Sequence, residues 1–124
     1  TGEFVINLTT EELAYATDYA GVTSGRDVDK WAKLGLTRMP SDIVAAPYIA
    51  ESPVAIECKV TEVKELGTHD MFIAEVVAVH VDDKYKDEKG AFHLEQARPL
   101  VYCHGKYFAM GEELGKFGYS VKKD

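Results

Sequence analysis

The chain has 124 residues, of which 46% are hydrophobic and 28% are charged, and its formal net charge is -7. This length corresponds to one globular domain, and we expect residues 1–124 to form it. The acidic balance argues against nucleic-acid binding, because phosphate neutralisation requires a basic face and the lysines here are interleaved with carboxylates. The apolar run Met71–Val81 is far shorter than the roughly 20 residues of a membrane-spanning helix, so we expect no membrane segment.

Two cysteines, Cys58 and Cys103, form no Cys-x-x-Cys pair and are flanked by apolar and β-branched residues. Such surroundings are typical of buried free thiols, so we predict that both are buried and that the protein is cytoplasmic. The chain starts with Thr1 and enters the strand-like run Phe4–Ile6 almost at once. Because a terminal strand normally follows a polar leader, we expect further sequence upstream of Thr1.

The first part of the chain predicts a strand followed by a helix. Residues Glu3 to Leu8 are rich in β-branched and aromatic side chains, which favour strands. Thr9 and Glu12 have the spacing of a capping box, and apolar residues at helical spacing then predict a helix from about Thr10 to Tyr19. We expect Gly21 to end this helix.

A second, shorter amphipathic helix is predicted to end at Gly35. Its apolar face carries Val28, Trp31, Ala32 and Leu34. The prolines within Thr37–Pro53 then exclude long regular structure. We expect this segment to wrap around the surface of the core.

Period-two hydrophobicity predicts a hairpin in the middle of the chain. The segment Val54–Thr61 alternates between two faces of a strand. We expect one face to be buried in the core, namely Val54, Ile56, Cys58 and Val60. We expect the other face to meet solvent, namely Ala55, Glu57, Lys59 and Thr61. After a polar connection, Met71–Val81 is apolar on both faces, which predicts a central strand covered on each side. The two strands form an antiparallel hairpin.

The remaining segments are a charged loop and one more strand. Asp82–Gly90 carries charges of both signs, which predicts a solvated loop. Leu100–Met110 predicts a strand that Gly105 interrupts by a kink or a close backbone approach. Several strands joined by hairpins, with two short helices, indicate a mainly β fold in the form of a small antiparallel barrel.

The segment Ser24-Gly25-Arg26-Asp27, with Lys30 after it, is the first candidate for a binding site. A glycine turn that leads into a helix presents free backbone N–H groups, and Arg26 and Lys30 add positive charge, a combination that suits a phosphate. An ordinary capped and solvated helix start accounts for the same residues, so both interpretations remain open.

Two further candidates are the turn Thr68-His69-Asp70 and the aromatic residues around Tyr102. An imidazole beside a carboxylate can bind a ligand or move a proton, although an ordinary polar turn has the same composition. Aromatic side chains can stack on a planar ligand or pack in a core. We predict no metal site, because no recognised ligand spacing relates His69, Asp70, His93 and His104.

Four segments together resemble the flavin reductase-like family, most closely its flavoredoxin branch. They are Phe4–Thr9, Ser24–Lys30, Ile49–Val54 and Gly67–Val77. The last is the most specific, because family members have a Gly-x-His-Asp or Gly-Asp-His turn followed by Phe-Ile-Gly/Ala-Glu/Arg-Val. Residues Tyr102–Tyr107 also resemble the closing strand of the family, and the resemblance extends from Thr1 to about Lys122.

This resemblance implies an FMN-binding split β-barrel, antiparallel and of Greek-key type, that works as a homodimer with flavin near the subunit interface. Lys30 matches the lysine that reaches the phosphate, His69 a histidine at the flavin, and Tyr102 an aromatic contact. The full set of implied cofactor-binding residues is Lys30, His69, Tyr102, Asn7, Arg26 and Ser24. Family members have additional strands before the segment matching Phe4–Thr9, so residues 1–124 correspond to the C-terminal portion of a barrel that is incomplete at its N-terminus.

The implied chemistry is electron transfer from NADH or NADPH through FMN to an acceptor that the sequence does not identify. His69 is then an orienting donor, and no other residue is assigned to catalysis. One alternative is a non-enzymatic module that carries electrons on FMN, or holds another planar ligand, without oxidising a nicotinamide. Another is a remnant that binds nothing.

Overall fold

A long antiparallel hairpin forms the centre of the fold. In the computed structural model, which describes residues 1–121, strands β4 (Val54–Glu65) and β5 (Asp70–Val81) pair over their whole length. Strand β1 (Glu3–Asn7) pairs antiparallel with the other edge of β4, which gives the sheet order β1-β4-β5. The predicted first strand and hairpin are therefore confirmed.

The register of the hairpin shifts twice, between Glu57 and Cys58 and between Val60 and Glu62. Such bulges increase the local twist and bend the strand, which is how a flat sheet curls towards a barrel. The buried side chains cluster at the Val54 end of β4, where Val54, Ala55, Glu57 and Cys58 are all enclosed. The prediction that the Glu57 face of this strand meets solvent is wrong at this end, because both faces of β4 are covered here.

Strand β5 lies at an edge of the sheet rather than at its centre. Several of its apolar side chains are more than half exposed, among them Phe72, Val76 and Val79. The prediction of a central strand covered on each side is therefore wrong for the described chain. The apolar composition of both faces indicates a strand suited to burial. Within residues 1–121, however, the contact from outside the sheet lies at one end of β5, where Tyr48 stacks on His80.

The first helix begins later than predicted. A 3-10 turn, Glu11–Leu13, precedes helix α1 (Ala14–Val22), which passes through Gly21 instead of ending there. No threonine side chain caps either segment, so the predicted capping box is not formed. The reason is tertiary: the carbonyl of Thr9 accepts from Leu100 N (3.1 Å) and Glu11 N donates to the Arg98 carbonyl (2.9 Å), which holds this backbone in place.

The second helix, α2 (Lys30–Leu34), ends as predicted at Gly35, whose φ of 66° is the left-handed conformation that glycine favours. Its N-cap is Asp29, whose Oδ1 accepts from Trp31 N and Ala32 N. The proline-rich segment that follows contains two-residue strands only, as expected. They are β2 (Arg38–Met39) and β3 (Tyr48–Ile49), which pair with each other as a small ribbon.

The last described strands form a second hairpin. The chain reverses at His104 and Gly105, where φ is 49° and 81°, so β6 (Val101–Cys103) pairs back on β7 (Lys106–Phe108). The prediction of one interrupted strand is wrong at this point, because two consecutive left-handed residues turn the chain around. Cys58 is buried as predicted, whereas Cys103 is exposed.

The loop Asp82–Gly90 is largely exposed, as predicted, and begins with a 3-10 turn. None of the helices within residues 1–121 has the length and apolar character needed to cross a membrane.

Candidate functional site

An open cleft of about 480 Å³ lies where the turn before α2 meets strand β2; its walls are Gly25–Trp31 and Arg38. The turn is held locally, because Asp27 N donates to the Ser24 carbonyl and Arg26 N donates to the Ser24 hydroxyl, both at 3.2 Å. The cleft therefore contains Arg26 and Lys30 of the predicted set, with Ser24 next to it.

Lys30 is fixed at this cleft by helix α1. Its Nζ donates to the carbonyl of Ala20 at 2.6 Å. Ala20 lies in the last turn of α1, where carbonyl groups have no partner within the helix and attract cations. An ammonium group has three N–H donors, so the remaining two can bind an anion.

Tyr102 is attached to the same helix through its strand partner. Its ring packs edge-on against Tyr107, with the ring centroids 5.3 Å apart, and Tyr107 Oη donates to Asp18 Oδ1 at 3.0 Å. The bond to Asp18, with burial as a smaller cause, raises the pKa of the Tyr107 hydroxyl. Tyr102 itself remains 66% exposed. Helix α1 therefore contacts Lys30 directly, at the Ala20 carbonyl, and Tyr102 indirectly, through the bond of Tyr107 to Asp18.

Asn7 has a structural contact. Its side-chain Oδ1 accepts a hydrogen bond from Ile49 N at 3.0 Å, which ties the end of β1 to β3. Asn7 also borders an apolar cleft of about 250 Å³ beside α1, whose other walls are Thr9, Leu13, Ala16, Thr17, Ala20, Leu36 and Ile49. The side-chain nitrogen of Asn7 makes no hydrogen bond among the described residues and is available to a ligand. A ligand role for Asn7 stays a prediction.

His69 lies at the tip of the β4–β5 hairpin, far along β4 from the level of Asn7. Its Nδ1 is 3.0 Å from the hydroxyl of Thr68, and its carbonyl accepts from Leu66 N. Asn7 pairs with Ala55, whereas the tip begins after Glu65. The path along β4 between these levels is about 33 Å at the usual rise per residue. Among the described residues, no hydrogen bond or ring contact joins His69 to Lys30 or Tyr102.

A buried carboxylate that the sequence analysis did not select holds the segment between β2 and β3. Glu57 has no exposed surface. Its Oε1 accepts from Ile43 N (2.7 Å) and Val44 N (3.0 Å), and its Oε2 accepts from Asp42 N (2.8 Å) and from Nε2 of His80. Both oxygens therefore have two donors, and Glu57 connects the sheet to the loop that surrounds it.

These donors determine the ionisation of Glu57. Burial alone raises the pKa of this carboxyl, but the hydrogen bonds from His80 and from the three backbone N–H groups outweigh it and lower the pKa to about 2. Because an ionised carboxylate can only accept, Nε2 of His80 carries the hydrogen. Tyr48 stacks on the imidazole of His80, with ring centroids 4.4 Å apart.

Asp42, Glu57 and His80 offer ligand atoms within 4.8 Å of one another, the only such group among residues 1–121. The geometry fits a structural hydrogen-bond network better than a metal centre, because the Glu57 oxygens already accept from N–H donors. The residues weighed as metal ligands in the sequence are not brought together. His93 instead bridges Asp87 (2.8 Å) and Glu95 (3.2 Å) on the surface.

Comparison with known proteins identifies relatives over most of the chain. The family model described as "Flavin reductase like domain" matches residues 1–111. An uncharacterized protein of Archaeoglobus fulgidus is 39% identical over 88 residues, which are 71% of this chain and 50% of that protein. Flavoredoxin of Desulfovibrio vulgaris (Miyazaki F) superposes with a TM-score of 0.86 at 36% identity, covering 98% of this chain and 66% of that chain.

A third relative is the FMN-binding protein of Thermus thermophilus, solved with bound 1-cyclohex-2-enone. It has a TM-score of 0.72 and 26% identity, and the match covers 93% of this chain and 62% of that one. The chain spans about half the length of the curated relatives that it matches. Its fold is that of the split β-barrels among flavin reductase-like proteins, as predicted. Because the family model matches residues 1–111, the chain belongs to the flavin reductase-like family.

Proposed function

We propose that this chain binds FMN and belongs to an NAD(P)H-dependent flavin oxidoreductase that passes electrons through the flavin to an acceptor. In this proposal residues 1–124 are one domain, and the protein works as a cytoplasmic homodimer. The observation that carries the proposal is the cleft that brings the Lys30 ammonium and the Arg26 guanidinium together, with Lys30 held at the Ala20 carbonyl of α1. Membership of the flavin reductase-like family supports a flavin as the ligand.

The residues present fit FMN by their chemistry. FMN combines a phosphate dianion with a planar ring, and the cleft offers the ammonium of Lys30, the guanidinium of Arg26 and, beside it, the hydroxyl of Ser24. Charge-assisted hydrogen bonds to phosphate are stronger than neutral ones. The exposed ring of Tyr102 provides an aromatic surface of the kind that packs on planar ligands.

When bound, FMN supplies the hydride-accepting and electron-transferring chemistry. The protein side chains bind and orient it. Lys30 holds the phosphate with the N–H groups that its bond to Ala20 leaves available, and Arg26 adds a second positive charge. Tyr102, positioned by Tyr107, would offer its exposed ring to the flavin and exclude water from that contact.

For His69 we propose a role across the subunit interface, as an orienting donor to the flavin held by a second copy of the chain. The length of the β4–β5 hairpin supports this role, because its tip lies about 33 Å along β4 from the level of Asn7. Asn7 borders the same cleft as Ala20, whose carbonyl binds Lys30. The exposed apolar side chains of β5, such as Phe72 and Val76, supply a surface that a second copy can bury.

Mixed dimers test this arrangement. The Lys30→Met and His69→Ala variants are each expected to reduce NAD(P)H oxidation when assayed alone. In a mixed dimer, one site takes Lys30 from the His69→Ala chain and His69 from the Lys30→Met chain, so both of its residues are native. The other site has both substitutions. We therefore expect mixing to restore part of the activity. Activity that stays at the level of the single variants places both residues in the same chain and contradicts the proposed role.

A second candidate function is a non-enzymatic FMN carrier. The relative from Thermus thermophilus favours it, because that protein is named for FMN binding alone. The purified chain is mixed with FMN, the excess is removed, and the visible absorption spectrum is recorded. Retained flavin bands support FMN binding, and subsequent oxidation of NADH or NADPH supports the oxidoreductase. Bound flavin without oxidation favours the carrier, and a colourless chain contradicts both.

A further inference from the structure

Arg38 enters the Lys30 cleft from outside the segment that the sequence analysis selected. It lies on strand β2, whose pairing with β3 places Arg38 opposite Ile49. Its guanidinium carbon is 4.8 Å from the centroid of the Trp31 ring, which is within the range of a cation–π contact. The contact holds a long side chain in one place, so binding a ligand costs Arg38 less conformational entropy.

The charges of the cleft leave Arg38 available for an anion. Of the two carboxylates in the walls, Asp29 is engaged in capping α2, where it accepts from Trp31 N and Ala32 N. Among residues 1–121, the ion pairs involve neither Arg26 nor Arg38. Two guanidinium groups and the Lys30 ammonium therefore line one cleft without a carboxylate partner for either arginine.

We propose that Arg38, positioned by Trp31, is a second cationic ligand for the phosphate that Lys30 anchors, and that it makes the site selective for phosphorylated over unphosphorylated flavin. This inference rests on the proposed function, because it assumes that flavin is the ligand. Lysine acts on phosphate as a point charge, whereas arginine presents a planar fork that binds two phosphate oxygens. The two residues therefore have different roles, and a lysine in place of Arg38 is not equivalent.

The test compares the dissociation constants of FMN and riboflavin, which differ only by the phosphate. In Arg38→Met, which keeps an unbranched apolar stem but removes the guanidinium, we expect FMN to bind about tenfold more weakly. Riboflavin binding is expected to stay within about twofold of the original chain. Arg38→Lys is expected to restore part of the preference for FMN, because it returns the charge without the fork.

Lys33→Met is the matched control, because it removes the same charge from an exposed position on α2 that does not line the cleft. We expect it to leave the ratio of the two dissociation constants unchanged. An unchanged ratio in Arg38→Met, or an equal change in Lys33→Met, overturns the inference while FMN binding stands. If the original chain binds neither flavin, the proposed function fails, and this inference fails with it.

Discussion

Nε2 of His80 donates a hydrogen bond to the carboxylate of Glu57, which is fully enclosed by the fold. The same carboxylate accepts the backbone N–H groups of the loop that joins β2 to β3. That loop follows β2, which carries Arg38, and ends at Tyr48, which stacks on His80. The Glu57–His80 pair thus connects the centre of the sheet to the ribbon that carries a wall of the cleft.

Replacing Glu57 by glutamine is expected to destabilise the fold strongly. The amide would place an N–H₂ group among donors that need an acceptor, and a buried donor without an acceptor is costly. We expect the urea midpoint of Glu57→Gln to fall by about 1 M or more. Glu62→Gln is the control, because Glu62 is exposed and its pairing with Lys64 is exposed too. Equal midpoints for the two variants would contradict the assigned role of Glu57.

The lowered pKa of Glu57 predicts acid-sensitive stability. A carboxyl with a pKa of about 2 in the folded state, against about 4.3 unfolded, stabilises the fold at pH values above the unfolded pKa. This contribution is lost as the pH falls from about 4.3 towards 2. Urea unfolding at a series of pH values measures the loss. In Glu57→Gln this part of the pH dependence should be absent, and its persistence there would assign it to other groups.

The pKa of the His93 imidazole is expected to lie above its ordinary value. Its hydrogen bond to Asp87, and then that to Glu95, raise the pKa of the imidazole. The contribution of protonated His93 to the free energy of unfolding is therefore complete at pH values below its unfolded pKa. It is lost as the pH rises through the raised pKa of the folded state. An NMR titration of the His93 ring measures this value directly. Asp87→Asn should lower it, whereas a ring that titrates identically in both proteins would show that the bond to Asp87 is absent in solution.

Lys30→Met is expected to weaken FMN binding by about tenfold or more, because it removes the ammonium group from the cleft. The fold should tolerate the change, since the one bond lost is that to the Ala20 carbonyl. Fluorescence titration with FMN measures the affinity, and circular dichroism checks the fold. Lys33→Met serves again as the control for net charge. A dissociation constant that matches the control would remove Lys30 from the binding site.

Asn7→Ala separates a structural role from a ligand role. It leaves the N–H of Ile49 without its acceptor, so we expect a loss of about 1–2 kcal/mol of unfolding free energy. The FMN dissociation constant, measured below the unfolding transition, then reports on the predicted ligand role. An affinity equal to that of the original chain restricts Asn7 to tying β1 to β3.

Local sequence patterns correctly predicted the elements that depend mainly on residues close together in the sequence. The alternation in β4 and the apolar run of β5 predicted the hairpin, and Gly35 marked the end of α2 because a left-handed residue is needed there. The four segments that resemble the flavin reductase-like family also identified it correctly. The capping-box signal at Thr9 failed, because the backbone there forms hydrogen bonds with Arg98 and Leu100 instead.

The tertiary structure alone decided which polar groups are buried and which candidates meet. Glu57 occupies a position that alternation assigns to solvent, and only the loop folding over it supplies the donors that keep it charged inside. Lys30 and Tyr107 are far apart in sequence, and both contact α1, at Ala20 and Asp18 respectively. Such pairings depend on long-range packing, which no window of neighbouring residues encodes, because the contacts form only when distant segments come together.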